Sequence, residues 1–219
     1  MPHNQPAAAQ RHNMRGHLIM AFALIALAFT ALPSMAFAGT DTAGNVFVSD
    51  GDSSPSGVGG DLYWAGQSLS LDDASIDRDI IAGGESLSIR DCTVGGAVRL
   101  VARTINIAKT TIDGSVTVVA QHVVLNSGST ANCFYAAGET VALRGSAKSA
   151  ALAGSTVTID GTVDGDVEVW ADKLVLGKNA NITGTINAHV SQDPERADGA
   201  KVGALKIDRT ENDDTSTIN

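Results

Sequence analysis

Aromatic residues make up only 4% of this 219-residue chain, proline occurs five times and cysteine twice. So few rings leave a core to be filled by Val, Ile, Leu and Ala, which suits strands stacked tightly on one another. Positive charge is short as well: 15 Lys+Arg stand against 24 Asp+Glu, a formal net charge of −9. An acidic surface repels phosphate backbones, which sets nucleic-acid binding aside and disfavours an anionic membrane surface. After Ala38 no stretch keeps apolar residues at three- and four-residue spacing for three turns, so helical packing is not encoded there. No glycine-rich phosphate loop and no nucleophile elbow occurs.

What is present begins with an N-terminal segment, 1–38. Arg11 and Arg15 precede the apolar run LIMAFALIALAFTALPSMAFA, and no acid occurs before Asp41. A basic start, an apolar stretch, a proline and then Ala36-Phe37-Ala38 before Gly39 read as a signal peptide with a small-x-small cleavage site. The alternative is an uncleaved membrane anchor, since the run is nearly long enough to span once. Either reading exports the rest, to a periplasm, a cell surface or the medium. No second long apolar run follows. Without its first 38 residues, which hold two of the cations and none of the acids, the chain carries −11.

The remainder repeats itself. VGGDLYWAGQSLSLDDASI from Val58 is echoed by IDRDIIAGGESLSIRDCTV from Ile76, VGGAVRLVARTINIAKTTI from Val94 and VDGDVEVWADKLVLGKNANITG from Val163. Starts at Val58, Ile76, Val94, Ile112, Thr130, Ser146, Val163 and Ile182 give spacings of 18, 18, 18, 18, 16, 17 and 19. A period near 18 is too short for a helical repeat and fits one coil of a β-solenoid. The fifth place reads Leu62, Ile80, Val98, Val116, Phe134, Ala150, Val167, Ile186, and the fourteenth Leu71, Ile89, Ile107, Leu125, Leu143, Ile159, Leu176. Apolar residues at places five and seven, and at twelve and fourteen, alternate with outward positions, which is strand periodicity with one face inward. Place nine holds only Gly66, Gly84, Ala102, Ala120, Gly138, Gly154 and Ala171, as expected at a tight corner. Place three (Gly60, Arg78, Gly96, Gly114, Asn132, Lys148, Gly165, Gly184) is rich in residues that tolerate a positive φ.

The expected fold is therefore all-β: a single-stranded parallel β-helix of about eight coils, each of roughly 18 residues. Its expected parts are the lead-in 39–57, with one short strand near Val46, the β-helix 58–190, a partial coil or cap 191–208, and a disordered acidic tail 209–219. The glycine-punctuated coils typified by 165–184 resemble those of the bactofilins, bacterial polymer-forming β-helix scaffolds, and the likeness runs over residues 58–207. That resemblance implies a right-handed, three-sided helix that self-assembles. Bactofilins typically lie in the cytoplasm or on the inner membrane face. An export segment moves the expected place of action to the envelope.

Candidate chemistry is sparse. His122 and His189 lie nearly four coils apart and cannot share a zinc ion within one chain, and a surface histidine serving as an acyltransferase base is the weakest reading. Cys92 and Cys133 are two coils and five residues apart, beyond disulfide reach, and Cys92 shares a column with Ala74 and Thr110 that reads as small and inward. Asp50, Asp52, Asp160, Asp164 and Asp166 stand in turn sequences without calcium-loop spacing. No acid–base constellation persists along the fourth place, where Asp61 and Asp79 give way to Ala97 and Ser115. No catalytic residue, cofactor or metal is expected. The reading is an exported structural scaffold of a bacterial envelope that forms homo-oligomers. The alternatives are a β-helix that binds polysaccharide or an envelope protein along one face, and thirdly a hexapeptide-type acyltransferase. Tyr63, Tyr135 and Trp170 sit at outward places on different coils and do not read as one aromatic stripe. Trp64, in the seventh place of the first coil, is either a plug for the open core or, with Tyr63, a surface for self-association at the Val58 end.

Overall fold

The computed structural model describes residues 39–52 and 54–209. The expected signal peptide and all of the expected tail beyond Arg209 lie outside them. Every described residue belongs to one compact unit, within Ala36–Asn219. Among the described residues all regular structure is strand.

Three strands recur in each turn of the first coils. A two-residue strand (Gly57–Val58, Ser75–Ile76, Thr93–Val94, Thr111–Ile112) is followed by a four-residue strand (Leu62–Ala65, Ile80–Gly83, Val98–Val101, Val116–Val119). A third strand of four or five residues closes the turn (Ser68–Asp72, Ser86–Arg90, Thr104–Ala108, His122–Leu125). Each pairs in parallel with its counterparts one coil before and after, so Val98 stands between Ile80 and Val116. The stack is a β-solenoid with three faces: the third carries the two-residue strands, the first the four-residue strands, the second the remaining ones. Burial alternates as the period of two requires. Leu62, Ile80, Val98 and Val116 are wholly buried, as are Leu71, Ile89, Leu125, Leu143, Ile159 and Leu176, and Ile107 is nearly so.

Two large rings interrupt this aliphatic core, and each is matched by small residues on the next coil. Phe134 is fully buried and pairs in register with Ala150; beside it Ala136 pairs with Leu152, so large and small exchange places from one coil to the next. Trp64 is buried and its ring reaches over Ala82 and Gly84; a Cβ on Gly84 would lie 2.7 Å from that ring and 2.5 Å from the Gly66 carbonyl oxygen. The corner column is small because the preceding coil passes against it. Gly154 shows the same constraint, with the Gly138 carbonyl oxygen 2.6 Å from where its Cβ would be.

Several expectations need correction. The stack has about nine turns rather than eight. Val46–Ser49, within the lead-in, pairs in parallel with Leu62–Ala65 and precedes the first full coil. At the other end Lys201–Arg209 pairs with Asn181–Val190 from Asn181 through Val190, with one irregularity between Ile182 and Thr185. The first-place residues of the fifth and sixth coils are Ala131 and Ala147, not Thr130 and Ser146. Both alanines are buried, and each stands three residues before its fifth-place neighbour instead of four. That shorter corner lets the strand continue unbroken over Thr130–Leu143 and Ser146–Ile159. Finally, positive φ does not fall at the third place. It falls at Asp73, Asp91 and Lys109, all at place sixteen, and at Gly44, Gly51 and Gly128. Third-place glycines answer to close approach: a Cβ on Gly114 would meet the Gly96 carbonyl oxygen at 2.5 Å.

Candidate functional site

At the N-terminal end the chain closes on itself. Gly39–Thr40 pairs antiparallel with Val46–Ser49, so the outer edge of the leading strand is partly occupied. Asn45 accepts from the Asp61 amide, Asp61 from the Asp79 amide and Asp79 from the Ala97 amide, each one coil further on. This ladder explains the acids at place four: they hold backbone N–H groups at a corner where the sheet does not. Arg78 and Arg99 neutralise Asp61 and Asp79. Burial pushes the Asp79 carboxyl upward, yet the Ala97 amide and the Arg99 guanidinium outweigh it and hold its pKa below the ordinary value.

Trp64 is only 4% exposed, with Val48 paired directly in front of it. The bare first coil expected at Val58 is therefore covered, and Trp64 is a plug. Tyr63 is half-buried and stacks on Phe47, with ring centroids 4.9 Å apart and planes 9° from parallel.

The C-terminal end differs. Among the described residues no strand pairs with the outer edge of Lys201–Arg209. Val202 and Leu205 are half-buried although their columns are core elsewhere, and Ile207, in the column of Val169 and Ala188, is 45% exposed. Polar contacts at the rim fasten the last coils: ion pairs of Lys173 with Glu195 at 2.7 Å and of Arg209 with Asp193, and His189 Nδ1 at 3.3 Å from the Asp208 carboxylate.

The flanks are also unequal. On the second face the outward place eleven reads Ser68, Ser86, Thr104, His122, Thr140 and Thr156, and the His122 ring nitrogen lies 2.7 Å from the Thr140 hydroxyl. On the first face the outward residues are largely apolar. Tyr63 and Tyr135 belong to one register column, through Ile81, Arg99 and Thr117, and Trp170 lies in the neighbouring outward column with Val119, Ala137 and Ala153. The three aromatic residues thus share one face but stand on different coils in two columns, with Ile81, Arg99 and Thr117 between the tyrosines, so they form no continuous stripe. Trp170 stacks on His189 at 5.5 Å.

The remaining candidates resolve into local structure. Asp52 accepts from the Ser49 amide, Asp160 from the Asn179 amide, Asp166 from the Thr185 amide, and Asp50 caps the corner at Gln67. Both cysteines are free thiols. Cys92 lies in a buried column of small residues with Ala74, Thr110 and Ser129, donates to the Arg90 carbonyl at 3.0 Å, and burial pushes its pKa up. Cys133 is half-buried on the first-face side. The Ser149 hydroxyl donates to it at 3.3 Å, and that bond, with Tyr135, lowers its pKa. Beside it a cavity of about 190 Å³ is lined by Ile112, Asp113, Thr130, Ala131, Asn132 and Lys148, where the corner shortens. Compared with family models, curated proteins and solved structures, the chain finds no match in any of the three.

Proposed function

We propose that this chain is an exported structural β-helix that self-associates, serving as a scaffold of a bacterial cell envelope and growing through its C-terminal end. The observation that carries this reading is the last turn. Lys201–Arg209 offers a nine-residue strand edge, and beneath it Val202, Leu205 and Ile207 leave core columns open to solvent. An open edge over an open core is a template for another strand, and a solenoid end in this state is satisfied by a further coil. The resemblance to bactofilins and the apolar N-terminal segment support the assembly and the envelope parts of the reading respectively. Light scattering and negative-stain microscopy of the purified protein across a concentration series test it. Growth of elongated particles with concentration is the expected result. A species that stays monomeric at high micromolar concentration overturns it and moves the face-binding reading forward.

A further inference from the structure

Among the described residues no element covers the first face, whose outward side chains are largely apolar, and they follow an order that is complementary to itself when reversed. One outward column, numbered by coil from the one that starts at Val58, places Arg99 on the third coil, Tyr135 on the fifth and Glu168 on the seventh. The neighbouring column places Val101 on the third, Ala137 on the fifth and Trp170 on the seventh. We propose that two copies of this chain pair antiparallel through this face, about a two-fold axis that runs along the fifth-coil strand.

Such an axis keeps each column opposite itself and exchanges coils equally distant from the fifth. Arg99 of each copy then faces Glu168 of the other, and at the rim Arg103 faces Asp172. Bulk is matched as well: Trp170 lies against Val101, and His189 against Gly83. Tyr135, 36% exposed, meets its own symmetry mate across the axis. An isologous contact of this kind uses one patch twice, so each charge pair and each large-small pair occurs twice.

The area is sufficient. Nine rungs at ~4.8 Å by four residues at ~3.3 Å give roughly 570 Å² per copy. About 1,100 Å² for the pair lies just above the ~1,000 Å² that separates specific interfaces from incidental contacts. Sheets packed face to face with nearly aligned strands are a standard arrangement. A glycan is a poorer fit, because the Phe47 and Tyr63 rings stack on each other along the solenoid axis and so cover one another's faces. One contact opposes pairing: exposed Glu139, next to the corner on the fifth coil, meets the Glu139 of the other copy at the rim.

Cys133 makes the proposal testable without adding a label. It stands on the axis strand two residues before Tyr135, so the two copies present their Cys133 thiols to each other, while Cys92 stays in the core. The purified protein is treated with a short bis-maleimide and its mass is followed by denaturing gel and light scattering. A cross-linked dimer is expected, retained in Cys92→Ser and lost in Cys133→Ser. Arg99→Glu and Glu168→Arg are each expected to weaken dimerisation about tenfold or more, and the double exchange to recover most of it, because charge swaps restore a true pair. Glu139→Gln is expected to tighten the dimer by about two- to fivefold, on the scale of removing one exposed like-charge contact. Circular dichroism verifies that each variant is folded, and Glu139→Gln, an exposed isosteric change, keeps the test decisive if Arg99→Glu disturbs Asp79. Failure of the double exchange to restore the dimer overturns the proposal. So does loss of all association in Ile207→Asp with Arg99→Glu unaffected, which assigns assembly to the end alone. A monomer whose first face binds an added polysaccharide or another protein also overturns it. The flank proposal does not rest on growth through the C-terminal end, and Ile207→Asp is expected to leave the antiparallel dimer intact.

Discussion

The two ends of the solenoid solve the same problem differently. A parallel stack leaves an unpaired strand edge and an uncovered apolar cross-section at each terminus. At the N-terminal end an antiparallel hairpin occupies the edge, Trp64 fills the cross-section, and Asn45, Asp61 and Asp79 hold successive corner amides. At the C-terminal end the last strand is fastened from the side by exposed ion pairs and polar contacts, and Ile207 stays 45% exposed. The first end spends its side chains on closure; at the second, no strand among the described residues takes up the backbone edge. The two ends differ in the pairing of the outermost strand rather than in the burial of its inward residues, since Val46 and Val48 are half-buried just as Val202 and Leu205 are.

Removing the plug should break the comparison most severely. Trp64→Ala deletes a ring seated over Ala82 and Gly84, positions too small to close the gap. The expected cost is about 3–5 kcal/mol in urea unfolding, the usual range for truncating a buried aromatic side chain. Ile107→Ala, in the middle of the stack between Ile89 and Leu125, provides the reference at about 2–5 kcal/mol. A loss at Trp64 smaller than a surface substitution would mean that the ring does not close the core.

The plug and the hairpin also mark what could and could not be read from the chain. The inward columns were legible because stacking makes one residue's burial depend on its neighbours a coil away, so Leu62, Ile80 and Val98 had to match. The slip to Ala131 and Ala147 was not, since counting from a start assumes that every corner has equal length and two corners are a residue shorter. The role of third-place glycine was misread because the constraint is contact with the preceding coil's backbone, which no local pattern displays. Asp73, Asp91 and Lys109 adopt positive φ without any glycine signal. The apolar first face was hidden for a related reason. Tyr63 and Tyr135 already share place six in the 18-residue register, but Trp170 stands at place eight, and that places six and eight are neighbours on one face shows only once the strands are known.

A smaller effect should come from the carboxylate ladder. Asp79→Ala takes the acceptor from the Ala97 amide and the partner from Arg99. An amide left without its acceptor costs about 1–3 kcal/mol. Acid should act at the same place. Because the folded-state pKa of Asp79 lies below its unfolded value, its contribution is complete above about pH 4 and is lost as pH falls through the folded value. Asp41, whose carboxylate accepts from the Asn45 and Ala43 amides, is lowered in the same sense. Protection of the Asn45 and Ala97 amides, relative to their intrinsic exchange at each pH, is therefore expected to fall on acidification below about pH 4, and Asp79→Ala should remove that pH dependence at Ala97. Unchanged protection at Ala97 in the variant would show that the ladder is incidental to that corner.

The smallest effect on stability is expected where the effect on assembly is greatest. Ile207 occupies a column that is buried from Trp64 through Ala188, yet at its own turn it is 45% exposed. Half of its side chain gains little from folding, so Ile207→Asp should change the unfolding free energy of the monomer by under about 1 kcal/mol, close to an ordinary surface substitution. The carboxylate would nevertheless sit in the middle of any contact made by the next coil, where an unpaired charge is taken out of water at a cost of several kcal/mol. Elongated species should therefore disappear in light scattering while the urea midpoint hardly moves. Trp64→Ala predicts the opposite pairing of results, a large loss of stability with end-to-end growth retained at temperatures where the variant is folded. If Ile207→Asp instead unfolds the protein as readily as Trp64→Ala, the last turn is a closing cap of the same kind as the first, and the two ends do not differ in function.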